Sequence, residues 1–184
     1  MRIKFTETEI NKMLKKMVIL ADSREQKNDH ILQWFDENKI PYEKVKNDYG
    51  DYSCKFPKGT IPGIDRDIYM DRLISIERKA NIDEIANNLR SENKPRIKAE
   101  LAHINKYDIR CHLLLEDHLF YKHLREGKFR SLWKPKSLNG SIYGLITEYN
   151  VNFEAINKED AGSKIFNILY YFCKNYFKNN FMVD

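Results

Sequence analysis

Glu77 and Lys79 stand two residues apart in the run Leu73-Ile74-Ser75-Ile76-Glu77-Arg78-Lys79. Side chains alternate along a β-strand, so this spacing puts a carboxylate and an ammonium on one face. Leu73, Ile74 and Ile76 mark the strand as interior, where a charge is costly unless a partner or a metal receives it. Upstream lies Gly50-Asp51, a second acid behind a turn-forming residue. Two carboxylates and a lysine gathered in one place suit hydrolysis of a phosphodiester with a hard divalent ion. Such an ion neutralises the phosphate, activates a water and stabilises the leaving oxygen. Mg²⁺ takes carboxylate oxygens and keeps several waters, so Asp51 and Glu77 are its candidate ligands, and Mn²⁺ suits the same donors. Lys79 would hold the attacking water or the anionic oxygens of the transition state.

Taken singly, these residues have ordinary readings. Gly-Asp is a common turn pair. Glu77-Arg78-Lys79 would serve a solvated edge strand whose charges discourage aggregation. Asp22 would cap a helix beginning near Asn28 or close a strand-to-helix loop, and Asp83 at a helix start favours the dipole. What these readings leave unexplained is the set in its order. Asp22-Ser23-Arg24-Glu25 follows an apolar run over 17–21, and then come Gly50-Asp51-Tyr52, Glu77-Arg78-Lys79 and Asp83.

In that order the chain resembles the nuclease domain of the XPF/Hef/Mus81 structure-specific endonucleases. These are a branch of the PD-(D/E)XK nuclease superfamily with the motif GD-(x)n-ERK-xxx-D. Gly50, Asp51, Glu77, Arg78, Lys79 and Asp83 fill the motif, and Asp22, Arg24 and Glu25 match the family's first-strand D-x-R-E. The likeness covers residues 17–173. It implies an α/β, restriction-endonuclease-like fold, with a central mixed sheet flanked by helices. It also implies catalysis through Asp51, Glu77 and Lys79, with the Arg78 carbonyl completing the metal's protein shell. By the same resemblance Asp22 binds a second ion or positions a metal water, and Asp83 orients the site. Arg24 and Arg78 would contact phosphates, and Glu25 would pair with one of those arginines. The substrate implied is branched or partly single-stranded DNA, and the assembly implied is a homodimer or heterodimer. Many relatives carry a tandem helix-hairpin-helix domain after the nuclease domain, for which these 184 residues leave no room. The expected division is therefore an N-terminal helical extension over 1–16 and a nuclease domain over 17–184.

Composition agrees with a single domain able to bury a sizeable core. Hydrophobic residues make up 42% and charged residues 32%, as in ordinary globular proteins. A net charge of +5 suits a polyanionic partner without establishing one. Cys54, Cys111 and Cys173 are odd in number and dispersed, without zinc-ligand spacing, so free thiols in a reducing compartment are expected. No secretory core and no apolar run of membrane-spanning length is found, which points to a cytoplasmic protein without membrane contact. The five histidines show no ligand spacing and receive no catalytic role.

The elements that must position these residues follow from pattern. Thr6 and Glu9 have capping-box spacing ahead of a short helix over 6–16. A buried strand is expected over 17–22, then a helix over 30–39 carried by Ile31, Trp34 and Phe35 and stopped by Pro41. Strands follow over 42–46 and 51–56, and Gly59, Pro62 and Gly63 make 57–71 a loop or long hairpin tip before the strand over 72–79. Ile82, Ile85, Ala86 and Leu89 form one helical stripe, and Ile97, Leu101 and Ile104 form the next, starting just after Pro95. A strand over 110–116, a mixed basic stretch over 117–136 and a helix over 137–149 follow, the last weakened by Gly140 and Gly144. A strand over 151–156 precedes a helix over 161–177, apolar on more than one face, which suits either a dimer face or a monomer core. Alternating strands and helices argue α/β.

Two basic regions are candidates for DNA. Residues 118–136 interleave Lys122, Arg125, Lys128 and Arg130 with Phe120, Tyr121, Phe129 and Trp133. The cations there could track a phosphate backbone, while the aromatics are either core or stacking faces for bases. Arg90, Lys94, Arg96 and Lys98 form the second region, where the resemblance favours backbone contact. The function expected is a metal-dependent DNA endonuclease. Two alternatives stand beside it: a non-cleaving scaffold of the same fold acting through a catalytic partner, and an RNase of that fold, although no reader of a 2′-hydroxyl is evident.

Overall fold

The computed structural model describes residues 4–179 and Phe181. Among these, the strands are β1 (Val18–Asp22), β2 (Tyr42–Val45), β3 (Tyr52–Phe56), β4 (Ile68–Tyr69), β5 (Ile74–Lys79), β6 (Arg110–Leu115) and β7 (Asn152–Ala155). They form one sheet in the order β2-β1-β3-β5-β6-β7, with β4 paired to β3. The antiparallel neighbours are β1 with β3, β3 with β4 and β3 with β5. The pairs β1 with β2, β5 with β6 and β6 with β7 are parallel, so the sheet is mixed. A parallel join needs a crossover over the sheet face. Helix α2 (Asp29–Glu37) makes the first, α3 (Ile82–Asn88) and α4 (Lys94–Lys106) the second, and α5 (Phe120–Glu126) and α6 (Pro135–Glu148) the third.

The alternating pleat of β5 divides the core. Ile74 and Ile76 are fully buried and face α2 and the long C-terminal helix α7 (Ala161–Asn179), whose Ile165, Leu169, Cys173 and Phe177 form one inward stripe. On the other side of the sheet, Ile82, Ala86 and Leu89 pack with Phe120, Leu124, Leu138 and Ile142. A smaller cluster of Ile104, Ile109, Cys111 and Val151 seats the end of α4. The apolar surplus of α7 thus goes into this molecule's own core, while Tyr171 stays exposed. The Cys54 and Cys173 sulfurs touch at 3.5 Å inside it as free thiols.

Helix α1 (Glu7–Leu14) begins with the expected capping box, Thr6 and Glu9 exchanging backbone hydrogen bonds at 2.7 and 3.3 Å. Expected as an extension, it instead lays Ile10, Met13 and Leu14 into the main core. Residues 1–3 of that stretch lie outside the described residues. Helix α4 starts at Lys94, one residue before Pro95, because a proline in the first turn loses no helical hydrogen bond. The basic stretch contains α5, which ends at Gly127 in the left-handed conformation, φ 64°. Gly140 and Gly144 lie on the open side of α6, where a methyl group would touch nothing, so Leu138, Ile142 and Leu145 carry the helix. Among the described residues no helix is long and apolar enough to cross a membrane.

Candidate active site

Gly50 sets the site. Its φ of 63° favours glycine, and an added Cβ would collide with Ser75 Oγ and stand 2.9 Å from the Ile76 carbonyl oxygen. Without a side chain, the turn drops onto β5, and the Asp51 N–H donates to the Ile76 carbonyl at 2.8 Å. Tyr52 is paired with Ile76 in the antiparallel register, so one step further Asp51 comes opposite Glu77 on the same face. One Asp51 oxygen accepts the Arg78 N–H at 2.8 Å. Burial, and then the nearby Glu77 charge, push the Asp51 carboxyl up to about 8. Lys79 Nζ donates to Glu77 Oε1 at 2.5 Å and lies 3.4 Å from Glu84. Burial alone would lower the Lys79 ammonium, but the Glu77 carboxylate more than reverses this, and the lysine stays charged.

An open cleft lies above these groups. One wall carries Asp51, Glu77 and Arg24, and α4 supplies the other with Arg96, Glu100 and His103. Glu100 is a third acid facing the pair, held above its ordinary range by partial desolvation and the Glu77 charge. Among the described residues no three Asp, Glu, His or Cys side chains converge closely enough to enclose a metal ion unaided. The donor set nevertheless fits a hard divalent cation. Mg²⁺ commonly binds through one or two carboxylates, waters and substrate phosphate, and here one acid is driven toward neutrality by burial and then by the second acid beside it.

Three expected roles need correction. Asp22 is 2% exposed and both of its oxygens are taken. Oδ1 accepts the Arg24 N–H and Nε at 2.8 Å each, and Oδ2 accepts Arg24 Nη2 at 2.8 Å and the Asn47 N–H at 2.9 Å. Those bonds outweigh burial and hold its carboxyl below the ordinary range. With Arg24 and Asn47 in place, the acceptor sites of Asp22 are filled, and at the border of the cleft it fixes the exposed Arg24. Arg78 points to the opposite face of β5 from Glu77 and Lys79, as the strand period requires. Its buried guanidinium donates to both Glu116 oxygens at 2.8 and 2.9 Å and to Glu25 at 3.2 Å, so it is not free for a phosphate. His30, 2.7 Å from Glu116, completes that cluster. Asp83 accepts the Arg130 N–H at 2.6 Å and so anchors the loop after α5, and it does not line the cleft.

Of the expected DNA-contacting cations, Arg24 and Arg96 reach the cleft. Arg90 is exposed at the end of α3, Lys122 lies on α5, and Lys128 pairs with Glu126 at 2.6 Å, none of them lining the cleft. Phe120 is fully buried, and Phe129 and Trp133 pack on the second core, the indole N–H donating to the Ala86 carbonyl at 3.1 Å. Only Tyr121 of that aromatic set is openly exposed. Sequence reading missed Glu100, Glu116 and Glu84. The available signal for Glu100 was its place on the polar face of α4, one turn from Arg96. For Glu116 it was its position just past β6, beside the end of the motif strand.

Comparison with known proteins bears on the family and the fold. The ERCC4 domain family matches residues 21–168. A solved structure of XPF from Aeropyrum pernix aligns with a TM-score of 0.59 and 11% identity, over 86% of this chain and 66% of that one. Another, of XPF from Aeropyrum pernix in complex with DNA, gives 0.55 and 13%, over 86% and 65%. Both likenesses establish the fold, and this chain spans about two thirds of the length of those structures. No curated protein matches. The family match runs from inside β1 to inside α7 and takes in the sheet from the end of β1 onward. The chain accordingly belongs to the ERCC4-domain family of DNA nucleases, built on the restriction-endonuclease-like fold of the XPF nuclease domain.

Proposed function

We propose that the protein is a divalent-metal-dependent DNA endonuclease acting on branched or partly single-stranded DNA. The observation that carries this reading is the Asp51 carboxyl, raised to about 8 beside Glu77, with a charged Lys79 against the same acid at the floor of the cleft. A structural ion pair has no need of the second, uncompensated carboxyl. Asp51, Glu77 and the Arg78 main-chain carbonyl would hold Mg²⁺ or Mn²⁺, which when bound neutralises the phosphate and acidifies a water. The Arg78 N–H fixes one Asp51 oxygen and leaves the other for a ligand. Lys79 keeps its proton, so it serves as a fixed positive charge beside the anionic oxygens rather than as a base. Arg24, held by Asp22, and Arg96 on the facing helix would receive the phosphates on either side.

The test is cleavage of labelled flap, fork, Holliday-junction, duplex and single-stranded DNA, with Mg²⁺ or with EDTA. Wild type should cut only with metal. Asp51→Asn should bind DNA and not cut. Cutting by that variant at the wild-type rate would mean the site is misplaced. Binding by wild type without cutting on every substrate would leave a non-cleaving module that works through a catalytic partner.

A further inference from the structure

The aromatic residues nearest the cleft are not those of the basic segment. His103 on the outer face of α4 and Tyr107 at its C-terminal cap lie one turn apart, with ring centroids 4.7 Å apart. Tyr49, two residues before Asp51, stacks on His103 with centroids 5.3 Å apart and planes inclined by 29°. Three rings therefore run in a row from the Gly50 turn along α4. His103 is exposed, Tyr107 is 56% exposed, and Tyr49 is half-buried against the core that seats α4. Tyr49 and His103 border the catalytic cleft and also a side recess, which Arg72, Tyr107 and Ile109 complete. Arg72 is exposed on its rim, and Lys106 Nζ lies 5.7 Å from the Tyr107 ring centre.

Exposed rings flanked by cations and opening off a phosphate-directed cleft have the chemistry that grips single-stranded nucleic acid. Bases stack on the rings, and the connecting phosphates meet the cations. A base inside a duplex is already stacked on its neighbours, so only an unpaired nucleotide could reach this recess. We propose that Tyr49, His103 and Tyr107 form a stacking platform for an unpaired nucleobase close to the phosphate held over Asp51 and Glu77, with Arg72 and Lys106 taking the flanking phosphates. The position relative to the cut rests on the nuclease reading, whereas the binding itself does not. Asp48 borders the same cleft, so the grip here comes from ring faces more than from net charge.

The experiment uses Asp51→Asn protein and forked DNA carrying 2-aminopurine at successive positions of its unpaired arm. The fluorescence of one or two positions should be quenched on binding. Adding His103→Ala and Tyr107→Ala should restore it and weaken binding of the single-stranded arm roughly tenfold, with a much smaller loss on duplex and the salt dependence kept. Both residues are exposed, so the fold should persist, as a melting curve would show. Tyr107→Trp, which keeps a stacking face, should retain the quenching. Absence of quenching in the parent protein, or an equal loss on duplex and single strand, would overturn the platform. Cleavage by wild type is scored separately. Quenching without any cutting would remove the nuclease reading alone, and cutting without platform-dependent quenching would remove this inference alone.

Discussion

Asp51 carries its charge at a cost, because burial and then Glu77 oppose ionisation, and its stability effect has a definite sign. Its carboxyl sits near 8 in the fold against an ordinary value of 3.8. Between those values the folded, metal-free protein keeps a proton that the unfolded chain has released, so stability falls as pH rises from about 4 to about 8. Asp51→Asn should remove that loss. At pH 8 without metal the variant should be more stable by about 1 kcal/mol or more, roughly 2–4 °C in Tm, with the gap closing toward pH 4. Equal melting curves for the two proteins across this range would show that Asp51 is not strained by burial or by Glu77. Arg78 makes the opposite case. It is 3% exposed and tied to Glu116, so Arg78→Ala would leave that buried carboxylate with the His30 ring alone and cost about 3 kcal/mol. A thermal melt reads this directly, and an unchanged Tm would return Arg78 to the role of a DNA contact. The strand period already placed Arg78 opposite Glu77 and Lys79. What lay on that other face, Glu116 from the end of β6 and Glu25 from the loop after β1, could not be read locally.

At the scale of elements, the Gly50 turn and α4 do most to make a site. The turn lowers Asp51 onto β5, where its N–H donates to the Ile76 carbonyl and its carboxylate accepts the Arg78 N–H, and any Cβ at Gly50 would strain the φ and press on Ile76. Gly50→Ala should therefore shift Asp51 by a fraction of an ångström or more and reduce cleavage about 100-fold. Its circular dichroism should remain that of the native α/β protein. Wild-type cutting by this variant would mean that Asp51 needs no such close approach. Helix α4 was legible as an amphipathic stripe of Ile97, Leu101 and Ile104, and so was its existence. Its cations, Arg96 among them, were read as a DNA-contacting region, but Glu100 and His103 were not assigned, because which charges look into a cleft depends on where the helix lies over the sheet. For the same reason the aromatics of 118–136 were ambiguous. Phe120, Phe129 and Trp133 became core once α5 and the following loop folded against α3 and α6.

For the whole molecule, a formal charge of +5 gives little guidance until the cations are placed. Arg24 and Arg96 stand on facing walls of the cleft, while Lys122 and Lys128 lie outside it. Arg24→Ala with Arg96→Ala should lower the slope of log affinity against log salt for duplex DNA by about two. Lys122→Ala with Lys128→Ala should move it less. If the lysine pair has the larger effect, DNA approaches from the α5 side and the cleft assignment fails. The antiparallel join of β3 to β5 brings the two halves of the site together across one sheet, and the core on both faces holds that register.

The sequence by itself determined the family likeness, the α/β alternation, and the acids and lysine of the motif. Each of these depends on short-range spacing: period two along β5, the glycine turn before Asp51, and apolar stripes on helices. Tertiary structure alone decided that Asp22 is fully engaged by Arg24 and Asn47, and that Arg78 and Asp83 serve the framework. It also decided that α1 belongs to the core, and that Glu100, His103 and Tyr49 meet at the cleft. Those outcomes turn on which groups satisfy one another across distant segments, and burial makes that pairing strict, because an unpaired charge inside the fold costs more than the fold can spare.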